Sequence, residues 1–385
     1  MKIFYYTWFE NSENDMMEAL ARLGHTVVKC HIPMGNYEED EVFTVNLERI
    51  FLEQGCDIFL SFDFFPIIAK SAQRLQKRYI SWIYDMPHST LFSPAVQSEY
   101  VSVFVFDKAQ YEQLRCIKPS HLYHLPLPVN TVRLNKLLGA FSGEAEYQQD
   151  ISFVGSLYEK NLYRQINYLP DYLKGYIDGI AEAQQKIYGY NLVMDTLTDK
   201  VTEEIEKYVQ MNLDASYLVG AKQLYADMIN AEITYRERKN LISALAERSR
   251  FTLYTGSDVS LIPGAQAGGI VTYDVEMPQV FRRSKINLNI TLRSIISGIP
   301  LRALDIMGAG GFLLSNYQPE LAEYFVDGQE VVLFESKEDM LAKAAYYLKH
   351  DEERQEIAYR GWKKVQEEFS YDVLLKKMFE MVGGA

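Results

Sequence analysis

The sequence predicts an α/β protein with two doubly wound domains, each built around a parallel sheet. Short apolar segments typical of buried strands alternate with segments of helical periodicity over residues 1–145, and the alternation resumes at residue 150. The chain has 385 residues, of which 48% are hydrophobic, so it is long enough to bury a core in each of two domains.

The first domain is predicted to contain five strands. These are KIFYYT, HTVVKCHI, CDIFLSF, YISWIY and VSVFVF. Helices are expected near 14–23, 44–54 and 66–77. No GxGxxG motif follows the first strand, which argues against a dinucleotide-binding half of the common type. The small, polar and acidic residues at 135–150 are interpreted as a linker.

The second domain is predicted to contain six strands and a long helical interruption. The strands are DISFVGS, FTLYTG, GGIVTYD, KINLNIT, GGFLLS and EVVLFES. The interruption, about 168–250, has helical composition and no motif for chemistry. We interpret it as a helical insertion that packs on this domain; the alternatives are a dimer contact or a surface that recognises an acceptor. Three helices are predicted after residue 335, with breaks near Asp351 and Ser370.

Charge and cysteine content limit the possible partners and the compartment. The net charge of −13 argues against nucleic acid and against an anionic membrane surface. The three cysteines are odd in number and far apart, which is typical of reduced thiols in a cytoplasmic protein. No apolar run reaches the roughly 18 residues of a membrane span, and the N-terminal MKIFYYT is predicted to be a strand rather than a signal peptide.

The segment 285–315 has the strongest pattern for ligand binding. A strand, a polar loop, a helix that starts after Pro300 and a glycine pair follow one another, and Arg293, Arg302 and Asp305 lie in the loop and the helix. Phosphorylated ligands bind at such strand ends in open α/β sheets. Guanidinium groups match phosphate oxygens, and a carboxylate can accept ribose hydroxyls. The alternatives are surface ion pairs for the arginines and a favourable helix-dipole position for Asp305.

The segment RALDIMGAGGFLLSNYQPELAEYFVDGQEVVLF resembles the donor-binding segment of group 1 glycosyltransferases with the GT-B fold, and more closely the CgeB-like branch. The shared features are an INLN strand, Arg302 with an acidic residue three positions later, Gly310-Gly311-Phe312 and Pro319-Glu320-Leu321. The resemblance implies two Rossmann-like domains that face a cleft. Residues 1–145 and about 370–385 would form the acceptor-side domain, and 150–369 the donor domain.

The strand ends of the second domain, together with the resemblance, predict a set of donor-binding residues, and the resemblance implies a metal-independent reaction. The predicted donor-binding residues are Gly155, Ser156, Lys160, Tyr254, Gly256, Ser257, Asn289, Arg293, Arg302, Asp305, Gly310 and Gly311. In related enzymes a glutamate lies seven positions before the ribose-binding acid, where this chain has Gly298. No cofactor is expected; the nucleotide-sugar, a UDP-sugar by preference, is a co-substrate. No metal site is expected either.

The first domain would then bind the acceptor, a sugar, a protein or a small molecule. Trp8 and Asp63 are predicted on the acceptor side. Asp85 or His88 would be the base of an inverting mechanism, with Arg302 as the catalytic group that neutralises the leaving diphosphate. A retaining mechanism would need no such base, and Asp85 capping a turn is the structural alternative. The other functions considered are an epimerase or hydrolase of the same fold and a non-catalytic binding module. A homodimer through the helical insertion is the alternative considered for that segment.

Overall fold

The computed structural model describes residues 1–139, 141, 146–166, 168–211 and 216–383. The described residues form two compact units. The first contains residues 1–128, 216–220 and 370–383, and the second contains the rest. Residues 142–145 of the predicted linker and 212–215 of the predicted insertion lie outside the described residues.

The strands follow the predicted order with two exceptions: the short strand Leu122–His124 is additional to the five strands predicted for the first domain, and the strand predicted over residues 268–274 lies elsewhere. In chain order they are β1 (Lys2–Tyr6), β2 (Thr26–Cys30), β3 (Ile58–Phe62), β4 (Arg78–Trp82), β5 (Val101–Val105), β6 (Leu122–His124), β7 (Gln149–Val154), β8 (Phe251–Tyr254), β9 (Gln266–Gly269), β10 (Ser284–Asn289), β11 (Leu313–Asn316) and β12 (Val332–Phe334).

The helices fill the connections between the strands. In chain order they are α1 (Glu13–Arg22), α2 (Glu41–Glu53), α3 (Pro66–Leu75), α4 (Lys108–Leu114), α5 (Thr131–Leu138), α6 (Leu162–Gln165), α7 (Asp171–Gln184), α8 (Val193–Thr196), α9 (Asp199–Glu206), α10 (Ala221–Ala246), α11 (Glu276–Arg283), α12 (Leu301–Gly308), α13 (Pro319–Tyr324), α14 (Lys337–Tyr347), α15 (Asp351–Glu368) and α16 (Tyr371–Met381).

Each unit contains one parallel sheet of six strands, which confirms the predicted fold class. The order in the first unit is β2-β1-β3-β4-β5-β6, and in the second unit β12-β11-β10-β7-β8-β9. All the pairs are parallel. The direction of winding reverses between β1 and β3 in the first sheet and between β7 and β10 in the second. In open α/β sheets, ligands bind outside the carboxyl ends of the strands at such a reversal.

The predicted strand over GGIVTYD, residues 268–274, is wrong. The strand β9 lies earlier, at the edge of the sheet, and Ile270 is 80% exposed. A β-carbon on Gly268 would lie 2.5 Å from the Tyr254 ring, so the tyrosine side chain covers this short strand. Val271 and Tyr273 pack against another core, beside α11 and α12, which explains why an apolar run here is not a strand.

The long helix α10 contributes to two cores. Its first half packs with α7, α8 and α9 in a core of their own, where Tyr225 and Ile229 are fully buried. Its last residues, including Leu241 and Leu245, pack on the second sheet together with residues of β7, β8 and β10. The part of the predicted insertion that stands apart from the sheet therefore ends inside α10, before residue 250.

The C-terminal helix α16 belongs to the first unit. Asp372 in its first turn forms an ion pair with Arg22 of α1 at 2.8 Å, and Tyr371, Leu374 and Leu375 are buried. Residues 216–220 also contact this unit, since the Leu218 N–H donates to the Phe92 carbonyl at 2.7 Å.

The predicted ligand residues Gly310 and Gly311 lie between α12 and the start of β11, at the amino edge of the sheet. A β-carbon on Gly311 would lie 2.6 Å from Asn287 Nδ2 and 2.8 Å from the Phe281 carbonyl oxygen. Gly310 has φ +76° and packs on Arg282. Their small size permits close packing of the helix on the strand, away from the carboxyl edge where a ligand would bind.

We predict that Gly311→Ala lowers the free energy of unfolding by about 1–3 kcal/mol, because the added methyl group overlaps backbone that cannot move aside. Urea unfolding followed by circular dichroism measures the loss. Gly175→Ala in α7 is the matched control, since a β-carbon there meets nothing within 4 Å; it is expected to stabilise by about 0.5–1 kcal/mol. Equal unfolding midpoints for Gly311→Ala and wild type would contradict this account of the glycine.

Candidate functional site

The carboxyl ends of β7 and β10 lie side by side, and an arginine from α10 bridges them. Arg238 donates from Nη1 to the Ser156 carbonyl at 2.6 Å, and from Nη2 and Nε to the Ile290 carbonyl at 2.6 and 3.2 Å. Its guanidinium also lies 5.2 Å from the Phe153 ring and 5.1 Å from the Tyr158 ring. The sequence analysis missed Arg238 because it lies inside an apparently featureless helical segment.

Arg302 and Asp305 lie together on α12. The carboxylate of Asp305 is 3.7 Å from Arg302 Nη1, and it accepts a hydrogen bond from the Tyr273 hydroxyl at 3.3 Å. The Arg302 side chain is 32% exposed and contacts the Met277 sulfur and the Phe281 ring of α11. Asp305 is buried and sits beyond the first helical turn, where the helix dipole has little effect on a carboxylate. The pair therefore combines an accessible cation with an acceptor that has a fixed orientation.

Arg293, a predicted phosphate ligand, is already paired. Its Nε and Nη2 donate to the two carboxylate oxygens of Glu237, each at 2.7 Å, and its Nη1 donates to the Ile187 carbonyl at 2.9 Å. Both side chains are buried, with 9% and 2% exposed. The structure thus uses this guanidinium to tie the loop after β10 to α10, so we leave Arg293 out of the proposed donor contacts.

The loops after β7 and β8 contain five more of the predicted residues. The Ser257 hydroxyl accepts from the Leu157 N–H at 2.9 Å, which joins the two loops. The Ser156 hydroxyl accepts from the Tyr158 N–H at 3.0 Å. Gly155 and Gly256 lie in the same two loops, and Lys160 is exposed nearby. The hydrogen bonds from Ser260, and to a smaller extent the charge of Lys160, hold the pKa of Asp258 below its usual range. These residues lie at the same edge as Arg238.

The structure separates the remaining predicted donor residues from this group. The Tyr254 hydroxyl accepts from Gln149 at the start of β7, so its side chain points toward the amino edge. Asn289 donates to the Thr291 and Ser315 hydroxyls inside the sheet. Gly298 is buried, and its carbonyl accepts from Gln318 Nε2 at 3.2 Å. The loop before α12 is therefore braced internally.

In the first unit, the four predicted acceptor-side and base residues line one pocket at the carboxyl ends of β1, β3 and β4. Its volume is about 440 Å³. Trp8, Asp63, Asp85 and His88 all contribute to it. The structure adds lining residues that the sequence analysis missed: Tyr6, His31, Met34, Tyr37, Phe64, Phe65, Pro87, Ser89 and Thr90. An apolar wall with a few polar groups is typical of small-molecule sites.

Asp63 organises the polar side of this pocket. Its backbone has φ +57°, and its carboxylate accepts the N–H groups of Tyr84 and Asp85 at 2.8 and 3.0 Å. His88 lies beside it, with Nδ1 3.8 Å from Asp63 Oδ1. His88 Nε2 lies 3.0 Å from the Phe64 nitrogen, 3.2 Å from the Phe64 carbonyl oxygen and 2.7 Å from the Thr90 hydroxyl, so three polar groups hold this side of the ring.

Asp85 lines the pocket and is exposed to solvent. Partial desolvation by the surrounding protein, together with the negative charge of Asp63, raises the pKa of Asp85 from 3.8 to about 6, whereas His88 acts in the opposite direction. A carboxylate with a pKa near 6 is suited to accept a proton near neutral pH.

Two further properties concern metals and membranes. The described residues contain no cluster of three or more side chains able to hold a metal ion. Within the same part of the chain, every helix is too short or too polar to cross a bilayer.

Residues 236–380 match the family model described as Glycosyl transferase-like. No protein of curated function matches the sequence significantly. The matched segment contains Arg238, Arg302 and Asp305. This match covers less than half of the chain, and the two parallel sheets have the architecture that the resemblance to GT-B glycosyltransferases predicts.

Solved glycosyltransferases share this fold at low sequence identity. Sucrose-phosphate synthase (tll1590) from Thermosynechococcus elongatus has a TM-score of 0.57 at 10% identity and covers 99% of this chain and 98% of its own. Alr3699/HepE from Anabaena in complex with UDP-glucose has a TM-score of 0.54 at 8% identity, with 100% coverage of both chains. A glycosyltransferase from Rickettsia africae ESF-5 has a TM-score of 0.53 at 11% identity and covers 99% of this chain and 97% of its own. At these identities the likeness concerns the fold alone.

We predict that Arg293→Met destabilises the protein by about 3–5 kcal/mol, because it leaves the buried Glu237 carboxylate without a cation. The double variant Arg293→Met/Glu237→Met removes both charges at similar volume and is expected to recover most of the loss. Urea unfolding of the wild type, both single variants and the double variant gives the coupling energy. A single variant as stable as wild type would show that the pair does not hold the loop.

Proposed function

We propose that the second unit binds a nucleotide-sugar, most simply a UDP-sugar, and that the enzyme transfers its sugar to an acceptor hydroxyl bound by the first unit. The carrying observation is the Arg302–Asp305 pair at the start of α12, inside the segment that matches the glycosyltransferase family. A fold neighbour, Alr3699/HepE, has been crystallised with UDP and glucose and with UDP-glucose, which supports the choice of donor.

The chemistry assigned to the second unit is stabilisation of the leaving diphosphate. Arg302 and the N-terminal end of the α12 dipole present positive charge to the developing negative oxygens. Asp305, held by the Tyr273 hydroxyl, accepts the ribose hydroxyls. Because protein groups neutralise the diphosphate in this proposal, the reaction proceeds without a metal ion.

The chemistry assigned to the first unit is activation of the acceptor. Asp85 accepts the proton of the acceptor hydroxyl while that oxygen attacks the anomeric carbon, and the C–O bond to the diphosphate breaks. Desolvation and then the charge of Asp63 raise the pKa of this carboxylate, while the nearby His88 lowers it. Aromatic groups of the pocket, Trp8 and Phe65 among them, offer stacking surfaces for a sugar ring.

The narrower assignments are also proposals. We infer a hexosyl- or N-acetylhexosaminyltransferase of the CgeB-like branch that acts in the cytoplasm, where the free thiols of Cys30, Cys56 and Cys116 would stay reduced. A homodimer through the helical insertion is supported by its exposed tyrosines, since tyrosine is enriched at protein interfaces. They are Tyr168, Tyr172, Tyr176, Tyr190 and Tyr208.

We predict that Arg302→Ala lowers kcat/KM by roughly tens- to hundreds-fold, the cost of losing a charge-assisted contact to phosphate. UDP release from UDP-sugars, measured with and without a panel of acceptors, detects the activity and the loss. Arg248→Ala is the control, because Arg248 is an exposed arginine on the segment after α10.

The same assay separates the alternatives. Wild-type turnover that needs no acceptor would favour a hydrolase or an epimerase. Full activity of Arg302→Ala would overturn the assignment of the donor site.

We predict that kcat/KM rises about tenfold per pH unit below pH 6 and levels off above it, because the free enzyme is active only with Asp85 deprotonated. Asp85→Asn is expected to lower the rate by roughly 10²–10⁴-fold. Asp372→Asn is the control, a half-exposed carboxylate of the same unit. A flat profile between pH 5 and 8, or an active Asp85→Asn enzyme, would favour a retaining mechanism without a base.

A further inference from the structure

Arg238 differs from the other deeply buried arginines of the second unit in having no carboxylate partner. Arg293 is paired with Glu237, and Arg354 with Asp351 at 2.6 Å. Among the described residues, no carboxylate lies within ion-pair distance of Arg238, although only 9% of the residue is exposed. A buried charge that lacks an opposite charge is unfavourable unless a ligand or a network of dipoles compensates it.

The position of Arg238 coincides with the reversal of strand order. It bridges the carbonyl of Ser156, two residues after β7, and the carbonyl of Ile290, directly after β10. These two loops border the crevice in which an open α/β sheet binds its ligand. Each guanidinium nitrogen of Arg238 donates once to these carbonyls, which leaves one N–H on each of Nη1 and Nη2.

The cation keeps its charge in this place. Burial lowers the pKa of Arg238 to about 10, and the nearby positive charge of Arg302 acts in the same direction, while Tyr158 and Glu237 oppose it. Arg238 is therefore protonated at neutral pH. Two cations close enough to interact, one buried and one accessible, would be compensated best by a multivalent anion.

We propose that Arg238 is a positioning residue for the diphosphate of the donor: it holds the loops after β7 and β10 in register and places its charge beneath the phosphates that Arg302 contacts from the open side. The inference rests on the proposed function. The ligand chemistry is a diphosphate ester, and the base and sugar of the nucleotide do not enter the argument.

The test compares ligands that do or do not contain the diphosphate. The dissociation constants of UDP, inorganic pyrophosphate and uridine are measured by calorimetry on wild type, Arg238→Met and Arg238→Lys. Arg238→Met is expected to weaken UDP and pyrophosphate by about tenfold or more and to change uridine by less than about twofold, because only the charge-assisted contribution is lost. Arg238→Lys, which keeps the charge, is expected to recover part of the affinity for pyrophosphate.

The outcomes separate a charge role from a purely structural one. If Arg238 only held the fold, Arg238→Met would weaken UDP and uridine in equal proportion, and Arg238→Lys would do the same; either result overturns the proposal. Unchanged UDP affinity in a folded Arg238→Met also overturns it. If Arg238→Met does not fold, Arg238→Gln, which can still donate to one carbonyl, takes its place in the comparison.

Two controls complete the design. Arg248→Met removes an exposed charge near the end of α10 and is expected to leave all three affinities unchanged. If wild type binds neither pyrophosphate nor any of UDP, GDP and dTDP, the proposed function itself fails. That outcome differs from a wild type that binds UDP normally and loses nothing on substitution of Arg238.

Discussion

The candidate donor site depends on one constraint, the reversal of winding between β7 and β10. Because both strands run in the same direction, their carboxyl ends meet at one edge, and because the connections leave in opposite directions, a crevice forms between them. Backbone carbonyls at this edge need hydrogen-bond donors, and Arg238 of α10 donates to two of them. The site is consequently built on the sheet and a long helix rather than on loops alone.

The buried charges around this edge have different consequences. The Arg293–Glu237 pair is neutral as a unit and joins the loop after β10 to α10, so it contributes order without offering a contact to a ligand. Arg238 and Arg302 together leave positive charge in an otherwise acidic protein with net charge −13. Local cationic character against an acidic background selects an anionic ligand without attracting nucleic acid over the wider surface.

The first unit repeats the same principle with different chemistry. Its winding reverses between β1 and β3, and the pocket at that edge is lined by aromatic side chains with a small polar group around Asp63. Desolvation, followed by the negative charge of Asp63, raises the pKa of Asp85 toward neutrality, and His88 opposes this shift. One architecture thus offers a cationic edge in one unit and a weakly acidic, aromatic pocket in the other.

The sequence by itself determined the two-domain α/β class and the strands whose apolar alternation is strong. It also predicted candidate site residues near strand and helix ends, such as Arg302, Asp305, Asp63 and Asp85. Strand ends are visible because periodicity is a local property. Tertiary structure alone decided which buried arginine has a carboxylate partner and which has only carbonyl partners. Arg238 and Glu237 look alike as charged residues of a helix, and only packing shows that Glu237 faces Arg293 while Arg238 faces two carbonyls, because such partners lie more than 50 residues away in the chain.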